Sequence, residues 1–145
     1  MKYYFDSCVL LNLFKKEGDA TKGKPYWEIA KEFIDKAKLS DSTEFFCSSC
    51  VLREVESKLN NKQAFMENRD FLEKEAEMVF IEANESDFAF ARKLESAFLY
   101  ELSFYDCMHI AICKRLNLIL VTRDKDLISF ARRYIFAAKP EDLLA

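Results

Sequence analysis

The chain has 145 residues and a mass of 17.0 kDa, and we expect residues 1–145 to form a single domain. Half of the residues are hydrophobic, with 14 phenylalanines and 6 tyrosines, which excludes a disordered chain, and 2 glycines with 2 prolines are too few turn formers for an all-β sandwich. The formal net charge of −3 excludes a surface that is basic all round, but it allows a local basic rim.

Five scattered cysteines, an odd number, favour reduced thiols and a cytoplasmic location. No apolar run approaches the roughly 18–20 residues of a membrane span. Asp6 interrupts the apolar N-terminal stretch, and no small-residue cleavage site follows it. We therefore expect neither a membrane segment nor a signal peptide.

Hydrophobic spacing predicts strands that alternate with helices along the chain. In chain order, the predicted strands are residues 1–5, 44–47, 79–81, 118–121 and 134–137. The predicted helices are residues 8–16, 26–38, 50–59, 63–77, 85–99, 103–116 and 125–133. A surface loop is predicted over residues 15–24, which hold both glycines. The alternation favours an α/β fold around a parallel sheet.

Acidic and hydroxyl side chains follow the predicted strands. Asp6 comes directly after the first strand, and Ser48 and Ser49 come after the second. Thr122 and Asp124 follow the buried strand LILV. Because ligands of open α/β sheets bind outside the carboxyl ends of the strands, we expect these side chains to meet at one edge of the sheet.

Two further carboxylates lie on predicted helices. Asp106 is in the first turn of a helix that is apolar nearly all the way round, where an unpartnered charge is costly. Glu54 lies beside the apolar stripe of the helix that follows the second strand. Converging carboxylates repel each other unless a divalent cation holds them, and hard oxygen ligands suit Mg²⁺ or Mn²⁺. Such an ion activates water for phosphodiester hydrolysis.

Each acid also has a purely structural interpretation. Asp6 can cap the helix that follows it, and Asp124 or Asp126 can cap the helix near residue 125. Asp106 lies where a capping box places an acid, and Glu54 can be a solvated helix residue. The hypothesis of an active site depends on the acids occurring together in one small α/β chain.

A thiol redox protein is an alternative from another class. Cys47 and Cys50 form a C-x-x-C pair at a strand end that enters a helix, where the helix N-terminus lowers thiol pKa values. No tryptophan precedes the pair, and Pro25 and Pro140 offer no obvious cis-proline partner. The only histidine, His109, lies inside the apolar helix and is interpreted as a core residue. A zinc site at Cys47 and Cys50 would need a second ligand pair, and on the apolar helix Cys107 points away from His109 and Cys113.

Four segments carry a resemblance to a known family: YYFDSCVLLNLF, SSCVLREVESKL, LSFYDCMHIAICKRL and LILVTRDKDL. In this order and at these spacings they resemble the four motifs of the PilT N-terminus (PIN) domain. The ending AAKPEDLL is similar to the family's C-terminal strand and tail, so the resemblance spans residues 2–144. It implies a three-layer α/β/α sandwich with a short parallel sheet, and a metal-dependent ribonuclease of the virulence-associated protein C toxin type.

The resemblance also implies roles for particular residues. It assigns catalysis and the binding of one or two Mg²⁺ or Mn²⁺ ions to Asp6, Glu54, Asp106 and Asp124, with Asp126 as an additional candidate acid. It assigns the orientation of these carboxylates to Ser7, Ser49 and Thr122. Basic side chains that are candidates for holding the RNA backbone are Lys15, Lys16, Arg53, Arg123 and Lys125.

The predicted reaction is hydrolysis of single-stranded RNA, leaving a 5′-phosphate and a 3′-hydroxyl. The implied partners are RNA, a second copy of the chain in a homodimer, and a cognate antitoxin whose C-terminal segment covers the active site, with no membrane. The family also contains inactive binding modules and RNA-processing nucleases that are not toxins, and both remain alternatives. The loop 15–24 is longer than in the tightest family members.

Overall fold

A parallel β-sheet forms the centre of the structure. The computed structural model describes residues 1–144. Over these residues the sheet has five strands: β1 (Lys2–Phe5), β2 (Glu44–Ser48), β3 (Val79–Ile81), β4 (Ile119–Val121) and β5 (Ala137–Ala138). They lie in the order β3-β2-β1-β4-β5, and every neighbouring pair is parallel. The prediction of an α/β fold with a parallel sheet is confirmed.

Helices connect the strands. Within residues 1–144 they are α1 (Ser7–Lys15), α2 (Tyr26–Ala37), α3 (Ser49–Leu59), α4 (Lys62–Lys74), α5 (Glu85–Ala97), α6 (Phe104–Leu116), α7 (Lys125–Ala131) and α8 (Pro140–Leu143). The predicted loop after α1 contains one 3₁₀ turn, Ala20–Lys22. In the part of the chain that the structure describes, none of these helices has the length and apolar character needed to cross a membrane.

The central strand β1 has a different environment on each face, because side chains alternate along a strand. Tyr3 and Phe5 face α2, where both rings pack edge-on against Phe33. Tyr4 faces the other side and packs against His109 of α6, with ring centroids 5.5 Å apart. Helices therefore cover both faces of the sheet, and the three-layer α/β/α architecture is confirmed.

The helices that follow β1, β2 and β4 begin with a polar cap at the carboxyl ends of the strands. Asp6 caps α1, Ser48 caps α3 and Asp124 caps α7, each by accepting hydrogen bonds from backbone N–H groups of the first turn. These side chains satisfy the free N–H groups at the helix start. The same function places polar side chains along one edge of the sheet.

The C-terminal predictions need correction. The predicted strand over residues 134–137 is wrong in extent, because only Ala137–Ala138 pairs with β4. The apolar run that suggested it includes Phe136, which is 80% exposed at the edge of the sheet. Helix α8 was not predicted, because a single turn that starts at Pro140 is too short to show helical periodicity.

Candidate active site

Asp6 is buried where β1 passes into α1. Its Oδ1 accepts a hydrogen bond from the backbone N–H of Ser7 at 2.7 Å. Its Oδ2 accepts from the hydroxyl of Thr122 at 2.8 Å, and the thiol of Cys8 lies 3.4 Å from the same oxygen. Burial and the charge of Asp6 raise the pKa of the Cys8 thiol to about 12, so Cys8 stays a neutral donor. Both carboxylate oxygens of Asp6 are therefore held in place.

Glu54 reaches the same edge of the sheet from α3. Its Oε1 accepts a hydrogen bond from the hydroxyl of Ser7, and Lys58 Nζ, one helical turn further on, lies 3.2 Å from that oxygen. Ser7 therefore binds Asp6 through its backbone N–H and Glu54 through its side chain. This single residue lies between two of the four candidate acids.

Thr122 links Asp6 to Asp124. Its hydroxyl donates to Asp6 and accepts from the backbone N–H of Asp124 at 3.2 Å. Asp124 Oδ1 caps α7 by accepting from the N–H groups of Asp126 and Leu127. The capping of α7 uses one oxygen of Asp124, so it is compatible with a further role for that carboxylate. The side chain of Asp126 is exposed.

Asp106 lies in the first turn of α6, where its backbone N–H donates to Ser103 Oγ at 3.1 Å. Burial is the main cause that raises the pKa of Asp106, and the negative charges of Asp6 and Asp124 raise it further. His109 and the hydrogen bond with Ser103 act in the opposite direction. Asp106 therefore lies within electrostatic reach of the two acids that follow β1 and β4.

The chemistry of these residues fits a hard divalent cation. The four acids supply carboxylate oxygens, and their mutual repulsion is what a cation would relieve. Among residues 1–144, no three acidic, histidine or cysteine side chains already lie close enough together to form a ligand group. Binding of a cation would therefore require the acids to move closer together.

A cavity of about 290 Å³ opens beside Glu54, and its lining residues are Cys50, Arg53, Glu54, Ser57, Lys58 and Tyr105. Arg53 and Lys58 supply positive charge, and the ring of Tyr105 is 56% exposed. Cations and an exposed aromatic ring are the groups that bind the phosphates and stack the bases of single-stranded nucleic acid.

Two predicted site residues lie in other contacts. Ser49 Oγ donates to Glu82 at 3.0 Å, and Glu82 is not one of the four acids. Arg123 binds both carboxylate oxygens of Glu141 in α8 and lies over the ring of Tyr26. Its guanidinium is committed to these partners. The remaining basic candidates have exposed side chains: Lys15, Lys16, Arg53 and Lys125.

One buried polar contact of Asp6 was not predicted from the sequence. His109 Nε2 lies 3.5 Å from Asp6 Oδ1, and His109 Nδ1 lies 2.8 Å from the hydroxyl of Tyr4. That hydroxyl is 2.7 Å from Ser48 Oγ. The signal in the sequence was the spacing of Asp106 and His109, three residues apart on one face of α6.

The cysteines do not favour the redox alternative. In the described residues all five are free thiols. Burial raises the pKa of Cys47 to about 12 and also raises that of Cys50. A redox-active C-x-x-C pair needs a lowered thiol pKa, because the thiolate is the reactive form.

Comparisons with known proteins identify the family. The PIN domain family model matches residues 3–133, a range that contains all four candidate acids. A search of curated proteins finds no match.

Solved structures share the fold at low sequence identity. A toxin-antitoxin complex from Klebsiella pneumoniae matches with a TM-score of 0.68 and 17% identity, covering 95% of this chain and 97% of that chain. VapBC2 from Rickettsia felis, bound to a promoter DNA fragment, matches with a TM-score of 0.68 and 15% identity over 96% and 98% of the two chains. FitAcB from Neisseria gonorrhoeae matches with a TM-score of 0.65 and 16% identity over 97% and 99%. With the family model spanning most of the sequence, the chain belongs to the PIN domain family, a family of nucleases.

Proposed function

We propose that this protein is a metal-dependent endoribonuclease that acts on single-stranded RNA, and that it is the toxin of a toxin–antitoxin pair. The observation that supports the nuclease proposal is that Ser7 links Asp6 to Glu54 and Thr122 links Asp6 to Asp124. Asp106 lies within electrostatic reach of Asp6 and Asp124. Membership of the PIN domain family supports the nuclease, and the toxin-antitoxin complexes among the structural neighbours support the pair.

We assign three of the acids to binding of a cation and Glu54 to proton transfer from water. Asp6, Asp106 and Asp124 would hold Mg²⁺ or Mn²⁺, one or two ions in number, and Thr122 keeps Asp6 oriented by donating to its Oδ2. The cation, when bound, favours deprotonation of water and neutralises charge on the phosphate. Glu54, whose Oε1 contacts the hydroxyl of Ser7 and the ammonium group of Lys58, would orient the attacking water and accept its proton.

RNA would approach through the cavity beside Glu54. Arg53 and Lys58 would hold phosphates, and Tyr105 would stack a base. A base that stacks on a protein side chain must be free of its complementary strand, which favours single-stranded RNA over a duplex. The products would carry a 5′-phosphate and a 3′-hydroxyl.

Protein partners are proposed from exposed apolar side chains, which mark interaction surfaces when they cluster. The most exposed aromatic and leucine side chains outside the cavity are Leu39, Leu99, Tyr100 and Phe136. We assign these surfaces to a homodimer and to a cognate antitoxin. An antitoxin segment that covered Tyr105 would compete directly with RNA. The free thiols agree with a cytoplasmic location.

The test is cleavage of a fluorescent single-stranded RNA with and without Mn²⁺ or Mg²⁺. We expect the wild type to cleave only with the metal, and Asp6→Asn to lose at least about 100-fold in rate, because loss of a direct ligand should exceed the effect of losing a group that supports one. Asp41→Asn is the matched control: it makes the same charge change on an exposed residue before β2, at the opposite edge of the sheet.

Each outcome separates the alternatives. Equal rates for the wild type and Asp6→Asn would place the reaction outside this site. Mn²⁺ binding without cleavage of RNA would contradict the proposed substrate. A folded wild type that neither binds Mn²⁺ nor cleaves RNA would favour an inactive binding module.

A further inference from the structure

A line of buried polar groups runs behind Asp6. It starts at Ser48, passes through the hydroxyl of Tyr4 and the ring of His109, and ends at Asp6 Oδ1. Ser48 and Tyr4 are fully buried, and His109 is 1% exposed. We call these three residues, Ser48, Tyr4 and His109, the buried polar line.

The hydrogen positions along this line follow from its contacts. The backbone N–H of Val51 donates to Ser48 Oγ at 3.3 Å, so the Ser48 hydroxyl is free to donate to Tyr4. We assign the Tyr4 hydroxyl as the donor to Nδ1 of His109, 2.8 Å away, which puts the hydrogen of the neutral ring on Nε2, the nitrogen 3.5 Å from Asp6 Oδ1. The opposite neutral tautomer would set the lone pair of Nε2 against a carboxylate.

The three residues come from the elements that carry three of the acids. Ser48 caps α3, which bears Glu54; Tyr4 lies in β1, which leads to Asp6; and His109 lies in α6 with Asp106. Fixed hydrogen bonds between these elements set the relative positions of their acids. The distance of 3.5 Å from His109 Nε2 to Asp6 Oδ1 is longer than a standard hydrogen bond, so the ring supplies an oriented N–H dipole and a fixed neighbour.

An apolar side chain at position 109 would be the simpler choice for a helix core. Its neighbours Met108 and Ile110 are both fully buried apolar residues. Buried polar groups lose their hydration and stabilise a structure only when their partners are well placed. Packing alone therefore does not account for an imidazole at position 109, whereas its contacts with Tyr4 and Asp6 do.

We propose that His109 is a positioning residue for Asp6, held in place by Tyr4 and Ser48. It keeps the carboxylate of Asp6 turned toward the other acids before a cation binds. This inference rests on the proposed function, because it takes Asp6 to be a metal ligand. The tautomer of the His109 ring can be measured without metal or substrate. The positioning role of His109 can therefore fail independently of the proposed nuclease function.

The first experiment is ¹⁵N NMR of the imidazole ring in the metal-free wild type. The chain has one histidine, so the ring signals need no assignment by mutation. We expect a protonated Nε2, and a shift of the Nδ1 signal in Tyr4→Phe because that variant removes its hydrogen-bond donor. An unprotonated Nε2 in the wild type would overturn the proposal.

The second experiment measures the Mn²⁺ dissociation constant by EPR on variants that remain folded by circular dichroism. We expect His109→Leu to weaken binding by about 10-fold or more, as is typical when a group that supports a metal ligand is lost. His109→Gln retains an N–H donor near the position of Nε2 and should recover part of the affinity. Rescue by an amide would not follow if the ring only filled space.

Tyr4→Phe has a matched control in the adjacent residue of β1. Tyr3 is also a buried tyrosine, but its hydroxyl contacts only the sulfur of Met1 on the other face of the sheet. We expect Tyr4→Phe to weaken Mn²⁺ binding and Tyr3→Phe to leave it unchanged. Equal affinities for the wild type, Tyr4→Phe and His109→Leu would overturn the positioning role. A wild type that does not bind Mn²⁺ would contradict the proposed metal site instead. The NMR measurement of the His109 tautomer would then be the test of whether the N–H group of the ring faces Asp6.

Discussion

The two faces of the central sheet pack differently: aromatic rings cover one face, and hydrogen-bonded polar side chains lie on the other. On the face covered by α2, Phe33 packs against Tyr3, Phe5 and Phe45 with ring centroids 5.0 to 6.4 Å apart. On the face covered by α6, the buried polar line takes the corresponding space. Aromatic rings pack well in several arrangements, whereas a chain of hydrogen bonds accepts few. We infer that the aromatic face supplies stability and the polar face sets the position of Asp6.

The largest expected effect comes from Phe33→Ala on the aromatic face. Phe33 is fully buried, so the substitution leaves a cavity and should lower the free energy of unfolding by about 3–5 kcal/mol, measured by urea denaturation. Under native conditions the Mn²⁺ affinity should stay at the wild-type value. An Mn²⁺ affinity that fell as far as in His109→Leu would contradict the inference that only the polar face sets the position of Asp6.

A smaller loss of stability is expected for Ser48→Ala on the polar face. The change removes the side-chain cap of α3 and the partner of the Tyr4 hydroxyl, which should cost about 1–2 kcal/mol. Ser49→Ala is the matched control, since that hydroxyl contacts only the exposed Glu82, and it should stay within about 0.5 kcal/mol. Mn²⁺ affinity should fall for Ser48→Ala alone. A larger effect of Ser49→Ala on that affinity would restore the original assignment of Ser49.

The smallest effect has the opposite sign. Asp106→Asn removes a charge whose burial, together with the charges of Asp6 and Asp124, raises the pKa of Asp106. We therefore expect the variant to melt a few degrees higher than the wild type in EDTA. Added Mg²⁺ should raise the melting temperature of the wild type more than that of Asp106→Asn, because bound ligand stabilises the folded state. A lower melting temperature in EDTA would show that the acids do not repel each other.

Local signals in the sequence were sufficient for the parallel sheet and for placing the candidate acids at strand ends and on helix faces, whereas the three layers were implied by the resemblance to the PIN domain. Strand–helix alternation predicts the sheet, and the acids follow strand ends or lie on helix faces. The contacts between distant residues were not predictable in this way. Nothing local distinguishes Ser48 from Ser49, although one bonds to Tyr4 and the other to an exposed glutamate. The contacts of His109 with Tyr4 and Asp6 could be predicted only with the knowledge that α6 packs against β1.

The C-terminal helix α8 is connected through Arg123 to the edge of the sheet where Asp6 and Asp124 lie. Arg123 lies between Thr122 and Asp124 in the chain, and its guanidinium joins Glu141 of α8 to the ring of Tyr26 in α2. A displacement of α8, caused by a fused tag or a bound protein, would be transmitted through Arg123 to its neighbour Asp124. A protein bound to α8 would therefore act on the position of Asp124 without touching that residue.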